Sequence, residues 1–310
     1  MSNLKVGVIG VGHIGREHAR IYSQLPGVEF VGLYDLDPDV AQKVAQRHGV
    51  KAFESTRALA DVIDAATIAT PTGTHHEIGS LLLGMGRHVL IEKPITDNTE
   101  QAKALVDLAQ GKNLVLQVGH IERFNPALNA LEEKLTRPRF IEAHRLSTYP
   151  GRSTDIGVVL DLMIHDLEVV LHLVRSPIQS IDSVGTAVLS KGEDIANARI
   201  RFENGCVANI TTSRISFEKV RKIRVFQDDA YLSLDYFDQS GEIYRKVNSQ
   251  IIKEKIKVEK DEPLKLELAA FAECARLSHA PRVGGAQAAH ALEIAMRITE
   301  QITKQNAQHS

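Results

Sequence analysis

Six residues, Gly10-Val11-Gly12-His13-Ile14-Gly15, fall between a short β-rich run at 5–9 and a helical pattern that reaches about residue 24. Glycines at that spacing, where a strand bends into a helix, constrain the chain more than any other feature in it. Gly10 permits a tight turn, Gly12 lets a ligand approach the backbone, and Gly15 lets the helix pack closely on the strand. The helix N-terminus then offers backbone N–H groups to an anion. A second strand at 29–34 ends in Asp35, about 20 residues past the glycines, where a carboxylate can accept hydrogen bonds from the adenosine ribose hydroxyls. Asp37 adds negative charge and no arginine stands beside Asp35 to pair with a ribose phosphate, so the pattern favours NAD over NADP. Taken alone, the bend is also compatible with a glycine-rich turn that binds nothing.

The alternation that begins here continues. Residues 38–48 read as a helix closed by Gly49, 65–69 as a strand, 76–85 as a helix, 88–91 as a strand, 98–110 as a helix and 114–118 as a strand. This order predicts an α/β fold, a doubly wound parallel Rossmann sheet over residues 1–120. Beyond His120 the texture changes. Helices at 126–135 and 158–173 accompany strand candidates at 140–146, 181–189, 198–202, 206–211, 223–227 and 231–234, with a turn at Glu203-Asn204-Gly205. Strands without intervening helices predict a second α/β domain over 121–310 with a mostly antiparallel open sheet, and helices at 264–277 and 287–302 close the chain.

A length of 310 residues allows two such domains. With 25% charged residues and a net charge of −2 there is no basic field for nucleic acid. No apolar run approaches the roughly 20 residues of a membrane span. The N-terminus shows no basic region followed by an apolar stretch and a cleavage site, which gives the expectation of a cytoplasmic protein. Cys206 and Cys274 stand far apart and are read as reduced, structural residues.

Candidate chemistry gathers where strands end. Thr70-Pro71-Thr72 follows the 65–69 strand at the carboxyl edge, where ligands of open α/β sheets bind. His75 and His76 are adjacent, so they point in different directions, and no third ligand is evident; they suit a helix start better than a metal. Glu92-Lys93-Pro94 follows the 88–91 strand, which carries Lys93 to the same edge, with a plain surface lysine as the alternative. Asp161 and His165 are four residues apart in an otherwise apolar helical segment, so the carboxylate can orient the imidazole. A surface ion pair, a satisfied core histidine or two ligands of an incomplete metal set are the other readings. Arg123, Tyr149 and Arg152 flank the domain junction and are candidates for a diphosphate or for cofactor contacts, as against ordinary surface residues; Arg214 and Lys219 are weaker ones.

Gly10 to Gly15, Asp35, Glu92-Lys93-Pro94, and Asp161 through His165 and Asp166, in that order, resemble the Gfo/Idh/MocA family of oxidoreductases over essentially the whole chain. The resemblance implies a Rossmann domain and an α/β domain whose open sheet supports a homodimer or homotetramer. It implies NAD as cofactor, no metal, and a substrate flanked by Lys93 and His165, with Asp161 as the acidic partner one turn earlier. The cofactor-facing set is then Gly10, Gly12, His13, Ile14, Gly15, Asp35, Thr70, Pro71, His75, Glu92, Lys93 and Arg123. The substrate-facing set is Lys93, Arg123, Tyr149, Arg152, Asp161 and His165. A narrower resemblance, carried by the segments Gly119-His120-Ile121-Glu122-Arg123-Phe124-Asn125-Pro126, Asp161-Leu162-Met163-Ile164-His165-Asp166 and Ser213-Arg214-Ile215-Ser216, is to the bacterial branch that oxidises the 3-hydroxyl of UDP-N-acetylglucosamine on the way to the 2,3-diamino sugars of lipid A. It implies a UDP-sugar substrate. A free-sugar or inositol dehydrogenase, an NAD-dependent glycosidase, and an NAD(H)-binding sensor without turnover are the rival readings. Net NADH accumulation argues against the glycosidase, and the presence of both Lys93 and His165 against the sensor.

Overall fold

The strands β1 (Leu4–Ile9), β4 (Ala65–Ile68), β5 (His88–Glu92) and β6 (Leu116–Gly119) are short apolar runs buried almost throughout, as strands covered on both faces must be. In a computed structural model, which describes residues 2–149 and 156–308, they join β2 (Val28–Tyr34) and β3 (Lys51–Ala52) in a six-stranded parallel sheet of order β3-β2-β1-β4-β5-β6. The order reverses between β1 and β4, and such a reversal opens a crevice outside the carboxyl ends of those strands. The connecting helices are α1 (His13–Tyr22), α2 (Pro38–His48), α3 (Thr56–Ala60), α4 (His75–Gly84) and α5 (Thr99–Gly111).

Local chemistry fixes these helices. At α2, the Asp37 side chain accepts from Asp39 N and Val40 N at 3.0 and 3.1 Å, Pro38 opens the first turn, and Gly49 ends the helix at φ 66°. In α1 the buried residues Gly15, His18, Ala19 and Tyr22 recur at helical spacing and form one face.

The chain divides into two compact units, and the division is not the single cut at 120 that the sequence suggested. One unit comprises Met1–Ile121 with Glu262–His290, the other Glu122–Asp261 with Ala291–Ser310. The reason is apolar. Helix α8 (Pro263–Leu277) buries Leu264, Leu268, Phe271, Ala272 and Ala275 in the same core cluster as Tyr22 and Phe30. Full burial of a side chain such as Leu268 or Phe271 is worth about 2 kcal/mol each.

The second unit is built on an eight-stranded sheet of order β14-β13-β12-β11-β7-β10-β9-β8. Its strands are β7 (Pro138–Leu146), β8 (Ile178–Thr186), β9 (Ile195–Phe202), β10 (Val207–Ser213), β11 (Val220–Gln227), β12 (Tyr231–Asp235), β13 (Ser240–Val247) and β14 (Gln250–Ile256). Only β7 and β10 pair in parallel; every other ladder is antiparallel. Alternate residues such as Ile141, Ala143, Ile200, Ile210, Val225 and Leu232 are buried on one face. Helices α6 (Pro126–Glu132) and α7 (Ile164–Val174) lie against the sheet, as does the later part of α9 (Gly285–Gln308). The outer face carries the ring ladder Phe140, Phe226, Tyr231 and Tyr244, with successive centroids 5.6, 4.7 and 5.0 Å apart. No helix among the described residues is long and apolar enough to cross a membrane.

Candidate functional site

In the first unit the carboxyl ends of the strands carry the candidate residues. Gly10 has φ +82° and donates its N–H to Tyr34 O at 2.8 Å; a Cβ there would lie 2.7 Å from Ala69 O and from Thr70 Cγ2. A Cβ on Gly15 would overlap the Gly10 carbonyl oxygen, so the helix meets the bend at backbone distance. Around Gly12 the opposite holds: among the described residues, nothing beyond its own stretch of backbone lies within 4 Å of the Cβ position, and no side chain caps the helix start. Backbone that is open at a helix N-terminus fits a pyrophosphate. His13 and Ile14 occupy the first turn of α1, His13 exposed and Ile14 half-buried.

Asp35 does more than the sequence suggested. Its Oδ2 accepts from Val11 N at 2.7 Å and its Oδ1 from Asp37 N at 3.0 Å, so the carboxylate ties the glycine bend to the end of β2. A carboxylate has about four acceptor positions, which leaves capacity for ribose hydroxyls. Leu36 beside it is 87% exposed, an apolar surface next to the carboxylate.

Thr70 and Pro71 follow β4, with the Thr74 hydroxyl 2.7 Å from the Thr70 hydroxyl and 2.8 Å from Pro71 O. His75 was expected to face the cofactor. It is 1% exposed, and its ring nitrogens lie 2.9 Å from Pro94 O and 2.9 Å from Thr70 O. The ring fastens the Glu92-Lys93-Pro94 turn, with its cis Lys93-Pro94 bond, to the loop after β4. Lys93 is half-buried at this edge.

Glu92, also expected at the cofactor, pairs with buried His18 at 3.0 Å and lies over Gly119, where a Cβ would come within 2.9 Å of its carboxyl. Near it, Glu267 of α8 is 0% exposed, with no hydrogen-bond partner for either oxygen among the described residues. Burial, reinforced by the charge of Glu92, holds that carboxyl well above the usual carboxylate range and favours its neutral form. The sequence reading missed Glu267, although a lone glutamate among Leu264, Leu268 and Phe271 at helical spacing was a visible signal.

In the second unit, Asp161 and His165 are both half-buried. The segment is not one regular helix. Residues Val159–Met163 form a π-helical turn that leads into α7, so Asp161 sits in the widened turn and His165 just beyond it. Turns of this kind occur disproportionately at functional sites. Asp166 takes a different direction. Its carboxylate accepts from Arg145 Nε at 2.7 Å and Nη2 at 3.1 Å, while Arg145 Nη1 donates to Glu122 Oε1 at 3.0 Å. Burial opposes the charge on Arg145, but Asp166 and Glu122 outweigh it and hold the guanidinium firmly protonated; burial pushes Asp166 upward against the pull of Arg145.

Arg123, expected at a phosphate or the cofactor, is 3% exposed and donates to Glu168 Oε1 at 2.6 Å. A guanidinium spent on a buried carboxylate belongs to the interior of this unit. Asn125 caps α6 through Ala127 N at 3.1 Å and donates to Tyr236 O at 3.1 Å. The segment Glu122 to Asn125 is thus framework rather than ligand surface. Arg214 is likewise buried, paired with Asp194 at 3.0 Å, whereas Lys219 is exposed. Tyr149 is 40% exposed just past β7, and Arg152 lies outside the described residues.

Comparison with known proteins agrees with this geometry. Residues 4–120 match the family model described as the oxidoreductase family, NAD-binding Rossmann fold, and residues 132–233 match the GFO/IDH/MocA C-terminal domain. The chain is 40% identical over 247 residues to a UDP-N-acetylglucosamine 3-dehydrogenase of Acidithiobacillus ferrooxidans, covering 79% of this chain and 78% of that protein. The solved structure of that enzyme superposes with a TM-score of 0.93 at 35% identity, over 97% of this chain and 98% of the other. A scyllo-inositol 2-dehydrogenase (NAD(+)) of Bacillus subtilis is 26% identical over 69% of this chain and 68% of its own. A levoglucosan dehydrogenase solved with NADH and levoglucosan shares the fold, with a TM-score of 0.88 at 19% identity over 98% of both chains. Matched through both of its units, the chain belongs to the Gfo/Idh/MocA family and is an NAD-binding oxidoreductase.

Proposed function

We propose that the enzyme oxidises the 3-hydroxyl of UDP-N-acetylglucosamine to the 3-keto sugar. The observation that carries this reading is the likeness to the Acidithiobacillus ferrooxidans enzyme, which spans nearly the whole of both chains. Bound at the glycine bend, NAD supplies the acceptor for the hydride that leaves the sugar carbon. The chain's own residues supply the rest. The Gly12 backbone and the N-terminus of α1 hold the pyrophosphate, Asp35 the ribose, Leu36 an apolar surface for the base, and Thr70 and Pro71 border the same edge.

Lys93 or His165 accepts the hydroxyl proton while the other steadies the negative charge that develops on the oxygen, with Asp161 orienting the imidazole. Tyr149, exposed just past β7, contributes to binding the sugar nucleotide. The product carries two electrons and one proton fewer at the sugar carbon, and the second proton leaves through Lys93 or His165. The outer face of the eight-stranded sheet, with its ladder of half-exposed rings, joins a second copy of the chain to make a homodimer or homotetramer.

Incubation with NAD and a panel of UDP-sugars, free hexoses and inositols, followed by NADH absorbance and product mass, tests the assignment. UDP-N-acetylglucosamine is expected to give a product two mass units lighter, as loss of two hydrogens requires; oxidation of inositol or a free sugar alone overturns it. Lys93→Met is expected to leave NADH binding, read by fluorescence, close to the parent while turnover falls by about 100-fold or more.

A further inference from the structure

The segment Ser213-Arg214-Ile215-Ser216 stands out in the sequence, yet the proposed chemistry leaves it without a task. Its arginine is 1% exposed, so it does not meet a ligand at the surface. The turn that seats it is closed by Ile215 N, which donates to Ser213 Oγ at 3.1 Å, and is tied to the end of β7 by Ser216 N, which donates to Ser147 O at 3.0 Å. From there Arg214 Nη2 reaches Ile156 O at 2.6 Å and Glu193 O at 3.2 Å, with Nε 3.0 Å from Asp194 Oδ1.

Both acidic residues belong to the loop between β8 and β9. Asp194 is fixed by donors on its own loop: Val188 N, Leu189 N and Ser190 N at 2.8, 2.6 and 2.9 Å, and the Ser190 hydroxyl at 2.6 Å. Burial works against its charge, but these donors outweigh burial and hold it below the usual carboxylate range. Glu193 turns the other way. Its carbonyl accepts from Val158 N at 3.0 Å and its carboxylate from Val159 N at 3.2 Å. The carboxylate fills the place where a Cβ on Gly157 would stand, and a Cβ on Gly192 would meet the Gly157 backbone at 3.0 Å. The loop and the residues at 156–159 therefore meet at backbone distance, with a negative charge at the start of a helical segment, where it is favourable.

What begins there is the π-helical turn that carries Asp161, whose N–H donates to Gly157 O at 3.2 Å, followed by His165. We propose that Glu193 and Arg214 are positioning residues, which hold the start of this widened turn so that Asp161 and His165 face the reacting hydroxyl. This inference rests on the catalytic roles proposed above for Asp161 and His165. It assigns the Ser-Arg-Ile-Ser segment and the β8–β9 loop to the reaction without giving either a contact with substrate.

The test uses the full-length enzyme with NAD and UDP-N-acetylglucosamine. Glu193→Ala is expected to lower kcat by about 10- to 100-fold, the scale of effect of a misplacement near 1 Å, with NADH affinity and KM changed less than threefold. Glu193→Gln, which keeps an acceptor for Val159 N, is expected to restore most of the loss. Arg214→Lys, which keeps the charge beside Asp194 but not the reach to Ile156 O, is expected to behave like Glu193→Ala and serves if that variant does not fold.

A double-mutant cycle supplies the discriminating measurement. In a His165→Asn background, Glu193→Ala is expected to have no further effect on kcat, because a residue that acts through another has nothing left to position. An undiminished effect in that background, or full activity of both Glu193→Ala and Arg214→Lys, overturns the inference. Full activity of His165→Asn alone overturns the proposed catalytic role instead, so the two failures are distinguishable.

Discussion

At the scale of single residues, the chain gives polar side chains partners that reach across long sequence separations. Asp35 is the clearest case: one carboxylate closes the glycine bend through Val11 N and remains able to receive a ribose. Asp35→Ser removes both functions. Loss of a hydrogen bond to a charged group is worth about 1.5–3 kcal/mol, so NADH affinity is expected to fall by about 10-fold or more. Fluorescence titration of NADH and NADPH checks this, and unchanged NADH binding would show that Asp35 only shapes the loop. The place of Asp35, at the end of β2, was legible from the strand pattern and its distance to the glycines. The partners of His75 and Arg123 were not. His75 binds carbonyls of Thr70 and Pro94, and Arg123 binds a carboxylate 45 residues away; side-chain type announces that a group can form such bonds but not where its partner will stand.

At the scale of elements, the signals that worked were those written in adjacent residues. Pro38 and Gly49 gave both ends of α2. The strands β13 and β14 went unread because β14, an edge strand with almost every residue exposed, has the sequence Gln-Ile-Ile-Lys-Glu-Lys-Ile and no alternation of buried and exposed positions. Their two-residue connection Asn248-Ser249, with φ of 47 and 67°, was the available clue. The π-helical turn before α7 was hidden for a different reason: its apolar residues suit a regular helix equally well, and the wider winding appears only with its neighbours in place.

Helix α8 carries a prediction of its own. Because the proton affinity of Glu267 is raised by folding, its contribution to stability is complete below about pH 4 and is lost as pH rises through the folded value. Glu267→Gln is neutral at every pH and escapes that loss. Its urea midpoint is expected to equal the parent's near pH 4 and to exceed it increasingly as pH rises until the folded value is passed, each tenfold in proton affinity being worth about 1.4 kcal/mol. A constant difference between the two proteins across that range would mean that Glu267 is not held neutral.

At the scale of the whole molecule, the proposed oligomer follows from a sheet with one covered face and one bearing four aromatic rings in contact. Tyr231→Glu places a charge in the middle of that ladder and is expected to shift the sedimentation coefficient to that of a monomer; an unaltered coefficient removes the outer face from consideration as the joint. The chain path holds a further consequence. Because residues 262–290 return to complete the nucleotide-binding half, the other half interrupts it at 122–261 and resumes at 291. Anyone grafting the second half of one such enzyme onto the nucleotide-binding half of another must therefore splice at three breakpoints, near 121, 261 and 290. A simple fusion at 120 would put the other enzyme's counterpart of α8 where Leu268 and Phe271 complete this core.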